Sequence, residues 1–269
     1  MLKGNTAAER FAEAVGIMAR LRGPGGCPWD REQDFDSIKR HTLEETYEVF
    51  DAIERRAWPE LKDELGDLLL QVLFYAQMAD EAGHFSIVDV VGNLNEKLVR
   101  RHPHIFGDTR AEDSGAVLRN WEAIKATEKV QEGGMLDAVP RTMPAMMEAG
   151  KLGSKAAKVG FDWPEVSGLF EKMQEEIAEL KAEVASGDDA ALEREFGDVM
   201  FTFANLGRHL KVDTETALRG TNARFRARFG RMEAEAGGVD GLKAASLDEL
   251  ERMWGAAKIA EHAVEGAKG

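Results

Sequence analysis

The sequence predicts an all-α protein, a tandem duplication of a helical bundle, and three observations carry that reading. Apolar residues recur at helical spacing along nearly all of the 269 residues, with no convincing run of the period-two alternation that marks a strand. Four carboxylates of the first half, Glu45, Glu48, Glu64 and Asp67, recur as Glu176, Glu179, Glu195 and Asp198, each 131 positions further on. Behind them, Asn95, Lys97 and Arg101 align with Asn222, Arg224 and Arg228 at an offset of 127, and Trp121-xxx-Lys125 with Trp254-xxx-Lys258 at 133. The small changes of offset belong in loops. The domains expected are 1–132 and 143–269, joined by a Gly- and Pro-bearing linker at 133–142.

In the first half a helix over 7–22 starts from Thr6 as cap and stops at the turn-rich GPGGCPWD, so 23–30 reads as a loop. An acidic hairpin follows, with one arm over 35–56 and a second opened by Pro59, where the missing N–H is not needed, and running to about Ala82. Asp67 to Met78 is apolar on nearly every face and predicts a helix surrounded by others. Ser86 with Asp89 has capping-box spacing for a helix that ends at Arg101-His102-Pro103, and a last helix spans about 114–130. The second half repeats the plan: a helix near 143–158, then VGFDWP, hairpin arms over 165–185 and 189–210, a helix from Asp213 or Thr214 to about 236, and a last helix after Ser246 and Glu249.

Bulk properties narrow the function. Residues are 43% apolar and 31% charged, and the net charge is −14, which argues against a broad phosphate-tracking surface for nucleic acid. No apolar run approaches the roughly 20 residues that span a bilayer, so no membrane partner is expected. The N-terminus lacks the apolar region and cleavage site of a secretory signal, and the lone Cys27 has no intramolecular disulfide partner; both point to the cytoplasm.

The chemistry lies in the carboxylates. Residues three apart share a helix face, and folding the hairpin near residues 56 and 57 sets Glu45 opposite Asp67 and Glu48 opposite Glu64. One ExxE on a helix is usually a solvated face. Here two ExxE and two ExxD pairs keep one spacing, with each pair eight residues from its turn, about 12 Å along a helix and too far for turn chemistry. Gly66 and Gly197 stand inside these arms at a cost of about 1 kcal/mol each, which predicts close approach of another helix or a ligand. Converging carboxylates repel unless they are protonated or hold a cation. All-oxygen donors suit a hard ion such as Mg²⁺, with Mn²⁺ as a substitute, rather than zinc. A di-iron carboxylate site would need two Glu-x-x-His motifs, and only Glu81 with His84 offers one.

A metal-bound polyphosphate would also need cations. Lys97 with Arg101, and Arg224 with Arg228, have i,i+4 spacing and are candidate phosphate clamps, the alternative being an exposed basic face. Trp121 and Trp254 read equally as base or ribose contacts, with Lys125 and Lys258 on phosphate, or as plain core. His102 and His104 read as structural, because the second half has no histidine there. Nothing supports a Ser-His-Asp or Cys-His nucleophile, and no Gly-rich phosphate loop is present.

The segments CPWDREQ, TLEETYEVFDAI, LKDELGDLLLQVLFYAQMA and RRHPHIFGD, with GFDW, EEIAEL and EFGDVMFTFANLGRHL, make the whole chain resemble the two-repeat form of the MazG family of all-α nucleoside triphosphate pyrophosphohydrolases. The resemblance implies Mg²⁺-dependent cleavage of NTPs and dNTPs between the α and β phosphates, giving a nucleoside monophosphate and pyrophosphate, by a homodimer or higher homo-oligomer. It puts metal ligands on Glu176, Glu179, Glu195 and Asp198 and on Glu45, Glu48, Glu64 and Asp67. Nucleotide contacts fall on Lys172, Arg224, Arg228, Trp254 and Lys258, with Lys97, Arg101, Trp121 and Lys125 as first-half counterparts. Position 224 is Arg where the family pattern suggests Lys. Glu176 and Asp198 would then be catalytic through the metal, and Glu175, or Glu44 in the first half, would serve as base for the attacking water. Two rival readings are a nucleotide-binding regulator with one or both halves catalytically weak, and a narrower pyrophosphatase acting on dUTP or an aberrant nucleotide.

Overall fold

The computed structural model describes residues 6–110, 112–128 and 133–266, and every regular element among them is a helix. The chain divides into two compact units, Met1–Val130 and Gln131–Gly269, with the turn-rich stretch 133–142 in the second, where Val139 is buried.

The first unit holds α1 (Ala7–Arg22), α2 (Pro28–Glu32), α3 (Phe35–Glu54), α4 (Trp58–Glu81), α5 (Ile87–Arg101), α6 (Pro103–Phe106) and α7 (Ser114–Glu128). The expected C-terminal end of α7 near 130 falls outside the described residues. Local chemistry sets the starts. The Thr6 hydroxyl accepts from the Glu9 N–H (3.2 Å) while the Glu9 carboxylate accepts from the Thr6 N–H (2.9 Å), a reciprocal cap for α1. Asp34 caps α3 by accepting from the N–H groups of Asp36 (2.9 Å) and Ser37 (2.7 Å). Two short helices correct the sequence reading. Pro28 opens α2 inside the expected loop, and Pro103 opens α6 directly after the expected stop, because its fixed φ suits a first turn as well as it ends the preceding one.

The second unit holds α8 (Ala145–Ala157), α9 (Val166–Ser186), α10 (Asp189–Leu210), α11 (Thr214–Glu235), α12 (Val239–Ala244) and α13 (Leu247–Gly266). The sequence reading missed α12, a six-residue helix entered from Gly238 at φ +110°. In the α9–α10 hairpin, Gly187 closes α9 at φ +75° and Asp188 caps α10 through the N–H groups of Ala190 (3.0 Å) and Ala191 (3.1 Å). Turning the α3–α4 hairpin instead places Arg56 at φ +56°.

Each hairpin packs at its open end on a small apolar core. In the first unit Met18, Ile38, Leu73, Phe74 and Met78 join α1, α3 and α4; in the second, Leu169, Met173 and Leu206 join α9 and α10 beneath Trp163. Ion pairs tie the segment ahead of each hairpin, the end of α1 in the first unit and the 158–165 loop in the second, to the hairpin's second arm. Arg22 donates to Glu81 on α4 (Nη2–Oε2 2.9 Å) and to the carbonyls of Asp30 and Gln33. In the second unit the charges are exchanged: Arg208 on α10 donates through Nη1 to Asp162 (2.9 Å), with His209 also at Asp162 (2.9 Å). The Arg208 guanidinium holds the Asp162 carboxyl well below the usual range despite its partial burial.

One expectation fails. The apolar helix α4 is not surrounded within its unit: Gln71, Leu73, Phe74, Ala76, Met78 and Ala79 are buried, but Leu65, Leu69 and Val72 form an exposed stripe at i, i+4, i+7. Their counterparts Phe196 and Phe203 on α10 are exposed as well.

Where α8 crosses α10 the packing leaves no slack. A Cβ at Gly153 would overlap Oδ1 of Asn205, a fully buried side chain (0% exposed) that donates to the Phe201 carbonyl (3.1 Å) and accepts from Arg208 Nε (3.2 Å). Gly153→Ala is therefore expected to destabilise the second unit by about 1–3 kcal/mol. Urea denaturation should show the lower midpoint, while Gly150→Ala, with nothing within 4 Å, should not.

Candidate metal centres

The two hairpins bring six of the eight expected carboxylates into two tight sets. Glu45 and Glu48 from α3 meet Glu64 from α4, and Glu176 and Glu179 from α9 meet Glu195 from α10; in each set, one oxygen per residue lies within 4.8 Å of the others. Asp67 and Asp198 are exposed and stay outside those sets, yet they act on them. Glu45 is held above its ordinary value of 4.5 first by burial, then by Asp67, Glu48 and Glu64. Glu64 and Glu195 are raised likewise, by burial and then by neighbouring carboxylates, with Asp198 among those facing Glu195. Three acidic side chains within 4.8 Å, with a fourth adding repulsion, form an oxygen donor set suited to a hard divalent cation.

The sets differ in what stands beside them. Lys172, one turn before Glu176, places Nζ 2.7 Å from Glu176 and 3.1 Å from Glu175. Glu176 raises the Lys172 ammonium well above its usual range, and Glu176 is buried (5% exposed). The same register in the first unit holds His41, whose Nδ1 lies 3.0 Å from Glu44 and not on the carboxylate cluster. The second set thus has its own ammonium ion, and Glu175 and Glu44 are both engaged by that neighbour. Beneath the first set, Thr42 Oγ1 meets the Tyr75 hydroxyl at 2.9 Å, and Trp29 sets its edge against His41 with centroids 6.1 Å apart.

Gly66 and Gly197 have no atom within 4 Å of where a Cβ would stand, so the close helix approach expected there does not occur among the described residues. Their sides of α4 and α10 are open. Glu81 is engaged by Arg22 and Gln77, which removes it from any Glu-x-x-His metal site.

The expected nucleotide contacts separate into two groups. Arg224 is exposed and bonded to Thr221 Oγ1 (2.8 Å), while Lys97, Lys125 and Lys258 make no ion pair among the described residues. Arg101 and Arg228 are less exposed and paired: Arg101 lies over Trp121 (5.2 Å to the centroid) and donates to Glu128, and Arg228 lies over Trp254 (5.5 Å) and donates to Glu261. Trp121 and Trp254 are half-buried partners of these guanidinium groups rather than sealed core. Glu128 and Glu261 were missed from sequence, although each follows its tryptophan by seven residues. His102 Nδ1 is 2.7 Å from the Leu98 carbonyl and its ring packs edge-on to Trp121, while the buried Nδ1 of His104 has no hydrogen-bond partner among the described residues.

A family described as the MazG nucleotide pyrophosphohydrolase domain matches residues 33–106 and again 165–229. The chain belongs to the MazG family. Both matches contain one complete acid set, and the family assignment makes the protein a hydrolase. A nucleoside triphosphate pyrophosphohydrolase of Escherichia coli K12 is 46% identical over 245 residues, covering 88% of this chain and 93% of the relative. A nucleoside triphosphate pyrophosphohydrolase/pyrophosphatase MazG of Thermotoga maritima is 44% identical over 92% of this chain and 95% of its own. The Bacillus subtilis protein YabN is 44% identical over 93% of this chain, which spans 52% of that longer protein.

The raised carboxyls give a pH signature. A group with a raised folded-state pKa contributes stability below its ordinary value and loses it as pH climbs through the raised one, so at neutral pH the ion-free sets oppose folding. A cation bound there should relieve that repulsion, and protons should compete with it. A divalent cation at a hundredfold excess over its Kd should add about 2.7 kcal/mol, several degrees in Tm, at pH 8 and much less at pH 5. Thermal melts of the full chain, compared with a variant lacking Glu45, Glu64, Glu176 and Glu195, test this.

Proposed function

We propose that this MazG protein is a Mg²⁺-dependent nucleoside triphosphate pyrophosphohydrolase, cleaving NTPs and dNTPs between the α and β phosphates to a nucleoside monophosphate and pyrophosphate. The observation that carries the reading is the pair of acid sets, built twice from hairpins that each lie inside a family match. The printed names of the Escherichia coli and Thermotoga maritima relatives support the substrate class.

In this reading Glu176, Glu179, Glu195 and Asp198, and in the first unit Glu45, Glu48, Glu64 and Asp67, hold the cation. Bound Mg²⁺ would polarise the phosphoryl oxygens and neutralise charge on the pyrophosphate leaving group. Lys172, Arg224, Arg228 and Lys258, and in the first unit Lys97, Arg101 and Lys125, complete the neutralisation around the triphosphate, with Trp254 and Trp121 beside the arginines. Water attacks phosphorus, the bridging bond between the α and β phosphates breaks, and Glu175 or Glu44 takes the proton. The second unit is assigned the main turnover, because Lys172 places an ammonium at its acid set where the first unit offers only His41, turned to Glu44.

The protein acts as a homodimer or higher homo-oligomer in this reading. The unburied stripes of α4 and α10, beside the open glycines Gly66 and Gly197, support it, since apolar stripes of this kind are normally covered by another helix.

Glu176→Ala and Asp198→Ala are each expected to lower Mg²⁺-dependent pyrophosphate release by at least about a hundredfold with the fold retained, and Glu45→Ala with Asp67→Ala by much less. Ion-exchange separation of products from a nucleotide panel checks both the bond cleaved and the rates; phosphate release without pyrophosphate would overturn the assignment. Leu69→Lys with Phe203→Lys should lower the mass seen by light scattering to that of one chain.

A further inference from the structure

Each unit contains the same three-residue arrangement. Nε of Arg101 donates to Glu128 Oε2 at 3.0 Å and Nε of Arg228 to Glu261 Oε2 at 2.6 Å, each guanidinium lying over the tryptophan of the same α7 or α13 helix. Trp121 and Glu128, like Trp254 and Glu261, are seven residues apart, two helical turns, and so present one face to α5 or α11. The side chains are largely withdrawn from water, Arg101 and Glu128 at 14% and 15% exposure and Arg228 and Glu261 at 17% and 16%.

An ion pair so placed must overcome desolvation and is a poor source of stability in itself. It is nevertheless built in both units, although the chain between arginine and glutamate differs in length by six residues. Both pairs use the same edge of the fork. Nε and Nη2 face the carboxylate, while Nη1 of each arginine makes no hydrogen bond among the described residues. Arg101, with Arg100 also on Glu128 (2.6 Å), holds that carboxyl down at about 2, so the pair stays ionised throughout the neutral range.

We propose that Glu128 and Glu261 are positioning residues of the two nucleotide sites, each fixing one edge of its arginine against the indole so that the Nη1 edge meets a phosphate oxygen of the bound triphosphate. This rests on the nucleoside triphosphate reading above. A long arginine side chain gives up rotamer entropy when it is fixed, and one already ordered in the folded protein does not lose it on binding. The carboxylate engages one edge of the fork and the ring covers one face, which leaves a directed pair of N–H donors. Without the carboxylate the arginine keeps its charge and loses its aim. Substrate binding then suffers more than bond cleavage, which belongs to the acid sets.

The test uses the full chain with ATP and Mg²⁺, reading pyrophosphate release. Glu128→Gln combined with Glu261→Gln is expected to raise KM about tenfold with kcat within about twofold. The corresponding pair of aspartate variants should recover part of the loss. In a background of Arg101→Met and Arg228→Met the glutamine changes should add nothing, because the carboxylates act only through the arginines. Unchanged or lowered KM in the glutamine variant, or an undiminished effect in the methionine background, overturns the proposal. Should the glutamine variant fail to fold, the aspartate variants carry the test with the same sign. Wild-type protein that releases no pyrophosphate from any nucleoside triphosphate refutes the underlying reading instead.

Discussion

Like-charge repulsion among carboxylates is the constraint around which each unit is built. A helical hairpin whose arms are packed both at the open end and near the turn, where Val49, Ala52 and Ala191 are buried, can hold three glutamates within 4.8 Å, because arms anchored on either side of the cluster cannot splay to relieve them. The cost is visible in the raised carboxyls of Glu45, Glu64 and Glu195. Around that cluster, caps fix where the arms begin, ion pairs tie the preceding segment to the second arm, and α5 and α11 carry arginines paired with Glu128 and Glu261.

The two copies answer the same repulsion differently. In the second, Lys172 lies against the buried Glu176 and provides part of the neutralisation before any metal arrives. In the first, His41 is occupied by Glu44 and edges Trp29, so the cluster depends on protonation or on an added ion. Duplication has thus produced one acid set with an internal counter-ion and one without, on the same backbone plan.

Much of this was legible in the sequence, because the hairpin's chemistry is periodic. ExxE and ExxD pairs at fixed distances from a turn need no tertiary information to be placed on one face, and Thr6, Asp213 and Ser246 mark helix starts through local bonds. What could not be read were relations between elements. The run from Asp67 to Met78 looked like a fully surrounded helix, since a sequence shows that a face is apolar but not whether the same chain covers it; Leu65, Leu69 and Val72 remain exposed. Gly66 and Gly197 suggest a close neighbour that the described residues do not supply. The arginine–glutamate pairs were hidden for another reason. Glu128 and Glu261 matter through partners 27 and 33 residues away, though the shared seven-residue interval from each tryptophan was a signal available in the repeat itself.

The exchanged polarity of these tethers bears on how two look-alike halves assemble. A chain that carries the same hairpin twice can dock the leading segment of one copy on the hairpin of the other while it is still folding. Here such a cross-pairing meets the wrong sign. Asp162 would arrive at an arm ending in Asp80 and Glu81, and Arg22 at one ending in Arg208 and His209. Placing the cation on the leading segment in one half, at the end of α1, and on the hairpin in the other gives each leading segment an address, so that the sister copies can share a plan without mistaking each other for themselves.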